Sequence, residues 1–143
     1  MQSLKRAVIA ALAALAAAPA LAQDIANGET QFSRQCVACH VVRDPGGAVL
    51  AGRTARTGPN LHGLEGRVIG DVEEFRYGEA MDRMRERGVT WTAERFTGYL
   101  QDPTGWLRDE LDDRRARGKM AYRVRDAQTA ADIWAYLQSL SAR

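Results

Sequence analysis

Residues Cys36, Val37, Ala38, Cys39 and His40 spell C-x-x-C-H. Two thiols three positions apart lie on adjacent parts of one helical turn, and a histidine follows at once. The spacing suits covalent attachment of a c-type haem: each sulfur adds to one vinyl group of a single porphyrin, and the imidazole binds iron from the proximal side. Other uses of the cysteines fit less well. A zinc site needs four ligands, and the chain holds only these two cysteines and one other histidine, His62. A thioredoxin-like pair wants a strand before the motif and a helix after it; the residues upstream read as helix. An oxidising compartment would allow a disulfide, but adjacent-turn spacing followed by histidine favours haem.

The N-terminal sequence points the same way. Lys5 and Arg6 precede an apolar run from Ala7 to Ala18, and Ala20-Leu21-Ala22 forms a small-x-small cleavage site before Gln23. The run is shorter than the roughly 20 apolar residues a membrane-spanning helix needs. Residues 1–22 are therefore expected to be a cleaved secretory signal rather than an anchor, leaving 23–143 as one exported domain with no stable membrane insertion. Taking Lys5 and Arg6 from the 20 basic residues leaves 18 against 18 acidic ones. A formally neutral domain gives no reason to expect a nucleic-acid partner, and docking must come from charge asymmetry.

Hydrophobic spacing predicts helices and no sustained sheet. Asp24 and Asn27 are candidate caps for a first helix running through Phe32 to the cysteines, with Gly28 and Phe32 one turn apart on a common face. Ala130, Ile133, Trp134, Leu137 and Leu140 recur at helical spacing behind a candidate cap, Asp126. The two terminal helices are expected to pack together, with Gly28 allowing close approach. Thr92 to Gln101 reads as a third helix, which Pro103 ends. Residues 41–73 hold many glycines and read mostly as loop. The fold class is all-α: three main helices plus short helices and long loops wrapped around a cofactor.

A proximal histidine leaves one axial position on iron. His62, Met81, Met84 and Met120 are the candidates after the signal. Met81 and Met84 share a strongly charged stretch, Glu79 to Arg87, that reads as a helix or turn with a solvated face. Met120 follows Gly118-Lys119 in a polar segment, where a glycine-bearing loop can deliver a thioether to the far side of the ring, so spacing favours it. His62 is the rival, although its Gly-Pro-Asn-Leu-His-Gly loop is compatible with simple surface exposure.

Gly58-Pro59-Asn60-Leu61-His62-Gly63-Leu64, Gly66-Arg67, Phe75-Arg76-Tyr77, Thr90-Trp91, Tyr99-Leu100, Asp102-Pro103, Gly118-Lys119-Met120 and Ile133-Trp134-Ala135-Tyr136-Leu137 occur in that order. On these motifs the chain resembles class I cytochromes c over essentially all of 23–143, nearest to the bacterial cytochrome c2/c550 subgroup. It shares with that subgroup an insert between Asp102-Pro103 and the methionine, here Thr104 to Arg117, and an enlarged loop from Arg43 to Arg56.

The resemblance implies a cytochrome c fold with one haem c per chain, attached through Cys36 and Cys39 and ligated axially by His40 and Met120. It implies that Pro59 offers its carbonyl to the proximal imidazole, fixing its tautomer. It assigns Tyr77, Trp91 and Arg67 to an inner haem propionate and puts Tyr99 near the methionine sulfur, with His62 exposed and not a ligand. Three departures stand out. Met81 replaces an asparagine common in mitochondrial members, and Arg117-Gly118-Lys119-Met120 lacks the proline of the usual Pro-Gly-Thr-Lys-Met. The haem-edge charge is carried by arginine, Lys119 being the only lysine after cleavage.

Ligation by His and Met closes both axial positions and leaves outer-sphere transfer of single electrons as the expected chemistry. The chain would then be an electron carrier and not an enzyme: a periplasmic monomer taking electrons from a bc1-type complex to a photosynthetic reaction centre, a cytochrome oxidase or a denitrification enzyme. Arg34, Arg43, Arg53, Arg56, Arg117, Lys119, Arg123 and Arg125 are expected to contribute to a ring around the haem edge and steer transient docking. Asp109, Glu110, Asp112 and Asp113 are expected to form an opposite, acidic face. The competing reading is a peroxidase or gas-binding protein with an open sixth position; a structural zinc or disulfide domain is a third.

Overall fold

The computed structural model describes residues 22–142, so the expected signal segment lies outside the described residues apart from Ala22. Helix α1, Ile25–Gln35, starts where the Asp24 carboxylate accepts the Asn27 N–H at 2.9 Å, and it buries Gly28 and Phe32. Asn27 is not a second cap; its side-chain amide reaches across to Asp132 instead. The helix closes where the Cys36 N–H donates to the Phe32 carbonyl, and a tight turn then carries the chain through Cys39 to His40.

The last helix, written α5 because four others precede it among the described residues, spans Ala127–Ser141 and is capped by Asp126, which accepts the Thr129 N–H at 2.7 Å. Its expected face, Ala130, Ile133, Trp134, Leu137 and Leu140, is buried, and so are Asp132, Ala135 and Tyr136. It is covered on more than one side because it packs against both α1 and a central helix, α3, Ala93–Gln101. At the α1–α5 crossing the helices approach so closely that a Cβ on Gly28 would overlap the Asp132 carbonyl group and Tyr136 Cβ. Phe32 and Tyr136 meet alongside, ring centroids 5.7 Å apart.

Asp132 joins these helices by polar contacts as well. Its buried carboxylate accepts the Asp24 N–H at 2.9 Å, the Asn27 amide at 2.7 Å and the Gln128 amide at 2.8 Å. Burial opposes the charged form, but these three donors outweigh it and hold the carboxyl below the usual range.

Two elements differ from the sequence reading. Helix α2, Glu79–Glu86, does carry a solvated charged side, but its other side buries Ala80, Met81 and Met84. The insert contains a helix, α4, Pro103–Leu111. Pro103 ends α3 and opens α4, because a residue in the first helical turn needs no N–H; Asp102 caps it by accepting the Gly105 N–H at 3.1 Å. Trp106 of α4 stacks on Trp91, centroids 6.0 Å apart. The enlarged loop forms a two-stranded antiparallel ribbon, β1 Val42–Arg43 with β2 Val49–Ala51. It is the only sheet among the described residues, where no helix is long and apolar enough to cross a membrane.

Candidate haem site

The turn after α1, the 58–61 loop, α2, α3 and the Met120 loop enclose a cavity of about 550 Å³. Cys36, Cys39 and His40 line it together with Pro59, and Met81 and Met120 line it as well. Much of the remaining wall is apolar: Leu61, Leu64, Trp91, Phe96, Leu100 and Ile133. The size falls in the range typical of cofactor sites.

His40 is 9% exposed, and its Nδ1 lies 2.9 Å from the Pro59 carbonyl oxygen. A carbonyl only accepts, so Nδ1 carries the proton and the Nε2 lone pair is left for a metal. Burial lowers the imidazole pKa more than the Pro59 hydrogen bond raises it, which favours the neutral, ligating form. Gly58 is required here, since a Cβ on it would run into the His40 ring. The Gly58 N–H also donates to the Cys39 carbonyl at 2.7 Å, fastening the loop to the cysteine turn.

No disulfide joins Cys36 and Cys39. Burial, and then the neighbouring Cys39, push the Cys36 thiol up to about 12. Redox-active cysteines show the opposite shift. No group of three or more His, Cys, Asp or Glu that could hold a metal ion occurs among the described residues.

Arg67, Tyr77, Trp91 and Tyr99 all line the cavity. Arg67 donates to the carbonyls of His62 at 2.7 Å and Asn60 at 3.1 Å, and its own carbonyl accepts the Trp91 N–H at 2.9 Å. Burial pulls its guanidinium down against the pull of Tyr77 and Asp71. Burial raises the Tyr77 phenol, against the nearby Arg67, and raises Tyr99 further. Both phenols therefore keep their protons at neutral pH. Trp91 and Tyr99 meet edge to face at 5.4 Å.

His62 is half-buried rather than fully exposed and is not among the cavity-lining residues, and Met84 is core. Of the expected basic ring, Arg34, Arg117 and Lys119 line the cavity and are exposed. Arg43 and Arg56 line a second cavity of about 360 Å³ with Glu74. Arg123 pairs with Asp102 at 2.9 Å, and neither Arg53 nor Arg125 lines either cavity. In the expected acidic face, Asp113 is bound by Arg83 at 2.7 Å, leaving Asp109, Glu110 and Asp112 exposed.

The sequence reading missed contacts of the Met120 loop. Tyr122, half exposed beside the cavity, donates its hydroxyl to Gln35 at 2.9 Å, and Lys119 Nζ donates to the Arg76 carbonyl at 2.7 Å and lies 6.0 Å from the centre of the Phe75 ring. The one signal in sequence was that both flank Met120. The donor set, the apolar walls and the protonated Nδ1 of His40 fit a haem in this cavity.

No protein-family model matches the chain. It is similar to cytochrome c2 of Rhodovulum adriaticum, 50% identical over 117 residues, covering 82% of this chain and 92% of that one. It is 45% identical to a cytochrome c2 of Cereibacter sphaeroides over 138 residues, 94% of both chains. Cytochrome c-550 of Paracoccus denitrificans is 39% identical over 139 residues, 94% of this chain and 87% of that one. Among solved structures, cytochrome c2 from Rhodobacter sphaeroides superposes with a TM-score of 0.81 at 41% identity, over 85% of this chain and 99% of that chain. With the attachment motif, the helical fold and near full-length identity in agreement, the chain belongs to the cytochrome c2/c-550 family of electron carriers, which hold one covalently bound haem c and are not enzymes.

Proposed function

We propose that the chain is a periplasmic shuttle for single electrons, with His40 and Met120 as the axial ligands of its haem iron. In this reading residues 1–22 are a cleaved export signal and 23–143 are the working cytochrome c domain, a monomer. The observation that carries it is the pairing of a neutral His40, its Nδ1–H given to Pro59, with Met120 on one apolar cavity. When bound, the haem supplies a one-electron couple at iron.

The chain's residues set the conditions for that couple. Pro59 fixes the His40 ring so that the Nε2 lone pair stays available. Met120 contributes a soft thioether, and with the apolar wall it favours the reduced state. Two protein ligands leave no position for a substrate. Arg67, Tyr77 and Trp91 offer hydrogen-bond donors from the cavity wall to the acidic side groups of a haem. Arg34, Arg117 and Lys119 put positive charge at the cavity, which suits brief docking on acidic partners. The donor in this reading is a bc1-type complex; the acceptor is a photosynthetic reaction centre, a cytochrome oxidase or a denitrification enzyme.

The test is an absorption spectrum of purified protein in both redox states. The oxidised wild type is expected to show the weak far-red band of a methionine–iron bond, and Met120→Ala to lack it and to have a lower potential. An open-site peroxidase or gas binder predicts no such band in wild type. Cell fractionation tests export: haem-bearing protein retained in the cytoplasm would contradict it.

A further inference from the structure

The loop that carries Met120 contains no proline to restrict its backbone, yet the structure ties it down on both sides. The Ala116 carbonyl accepts from Arg108 Nε at 3.0 Å, and the Gly118 N–H donates to Thr104 Oγ1 at 3.2 Å. Beyond Met120, the Tyr122 hydroxyl donates to Gln35 Oε1 at 2.9 Å and the Val124 N–H to the Leu100 carbonyl at 2.8 Å. Gly118 and Tyr122 each lie two residues from Met120. Their partners belong to different rigid elements: Thr104 to the first turn of α4, Gln35 to the last residue of α1. Helix α4 is a firm support, since Asp102 caps it, Pro103 opens it, and Leu107 and Leu111 bury its inner face.

A proline restricts a loop by limiting its backbone torsions. Fastening the loop backbone to a rigid helix restricts it in another way. We propose that Thr104 and Gln35 are positioning residues for Met120, anchoring Gly118 and Tyr122 in place of the missing proline. This rests on the reading of Met120 as an axial ligand. The insert thereby gains a role: its helix supplies the anchor on the N-terminal side of the loop.

The test uses the haem-loaded protein and imidazole, an external ligand that must displace Met120 to bind iron. Thr104→Val keeps the side-chain shape but removes the acceptor, Tyr122→Phe removes the donor facing Gln35, and Thr104→Ser restores the acceptor. Thr104→Val and Tyr122→Phe are each expected to bind imidazole about fivefold more tightly than wild type, the factor that one neutral hydrogen bond sets. Thr104→Ser is expected to match wild type, with urea midpoints little changed throughout. Unchanged imidazole affinity in both variants overturns the proposal. So does tighter binding that tracks a general fall in the urea midpoint and is not rescued by serine. If wild type lacks the far-red band, the ligand reading fails and takes this proposal with it; if the band is present and the affinities are flat, only the anchors fail.

Discussion

Asp132 is the one buried carboxylate among the described residues, and its environment gives it a defined pH dependence. Burial acts against the charge, while donors from Asp24, Asn27 and Gln128 hold the carboxyl below its ordinary value of 3.8. A depressed folded-state pKa means that the stabilisation is complete above the unfolded value and is lost as pH falls through the folded one. Asp132→Asn is therefore expected to lower the unfolding free energy at neutral pH by about 2 kcal/mol, through loss of charge-assisted hydrogen bonds. The gap from wild type should narrow as pH falls below about 4. Urea titrations at several pH values measure both effects; a gap that stays constant into strong acid would show that the ionised form is not what joins the helices.

Among the elements, the α1–α5 crossing sets how the haem-attachment turn is held relative to the core, because the cysteines follow directly from α1. Gly28→Ala sets two effects against each other. Helix propensity gains about 1 kcal/mol. Against it, the new Cβ meets the Asp132 backbone, which cannot move without shifting α5, and such overpacking costs about 1–3 kcal/mol or more. The clash is expected to win, giving a lower unfolding midpoint with an unchanged haem spectrum. A Gly28→Ala protein as stable as wild type would mean that the helices can separate freely. The insert shows the same dependence on packing: α4 backs the cavity wall through Trp106 on Trp91 and holds the Met120 loop through Thr104.

For the whole molecule, the cavity decides whether the chain folds without its cofactor. Without a cofactor its largely apolar walls face water, and the burial that a bound haem would supply is lost. A Cys36→Ser, Cys39→Ser protein prepared without haem is expected to lose near-ultraviolet circular dichroism and cooperative unfolding. A sharp transition near that of the haem protein would contradict this. Charge acts at the same scale, since a formally neutral domain attracts partners only through local asymmetry. On the proposed function, association with a bc1-type complex is expected to slow as salt rises, and Arg34→Gln with Arg117→Gln to flatten that dependence, whereas Arg53→Gln leaves it unchanged. Stopped-flow rates across ionic strength provide the measurement.

Local chemistry made much of this chain legible. The two thiols and imidazole of residues 36–40 define attachment by spacing along one turn, and helix caps act over three residues, so Asp24, Thr92 and Asp126 read directly. Periodicity showed the inner face of α5 because burial repeats with the helix. It did not show that Asp132 is also inside, since its partners Asp24 and Asn27 lie more than a hundred positions away. Nor did composition reveal α4, whose weakly patterned sequence is fixed by its cap, its proline and its packing. The sequence by itself determined which cofactor the chain attaches and which helices surround it. The tertiary structure decided which arginines reach the cavity, which methionines are core, and how a loop without proline is held. Those outcomes depend on groups distant in the chain meeting in space, as Tyr122 and Gln35 do across 87 positions.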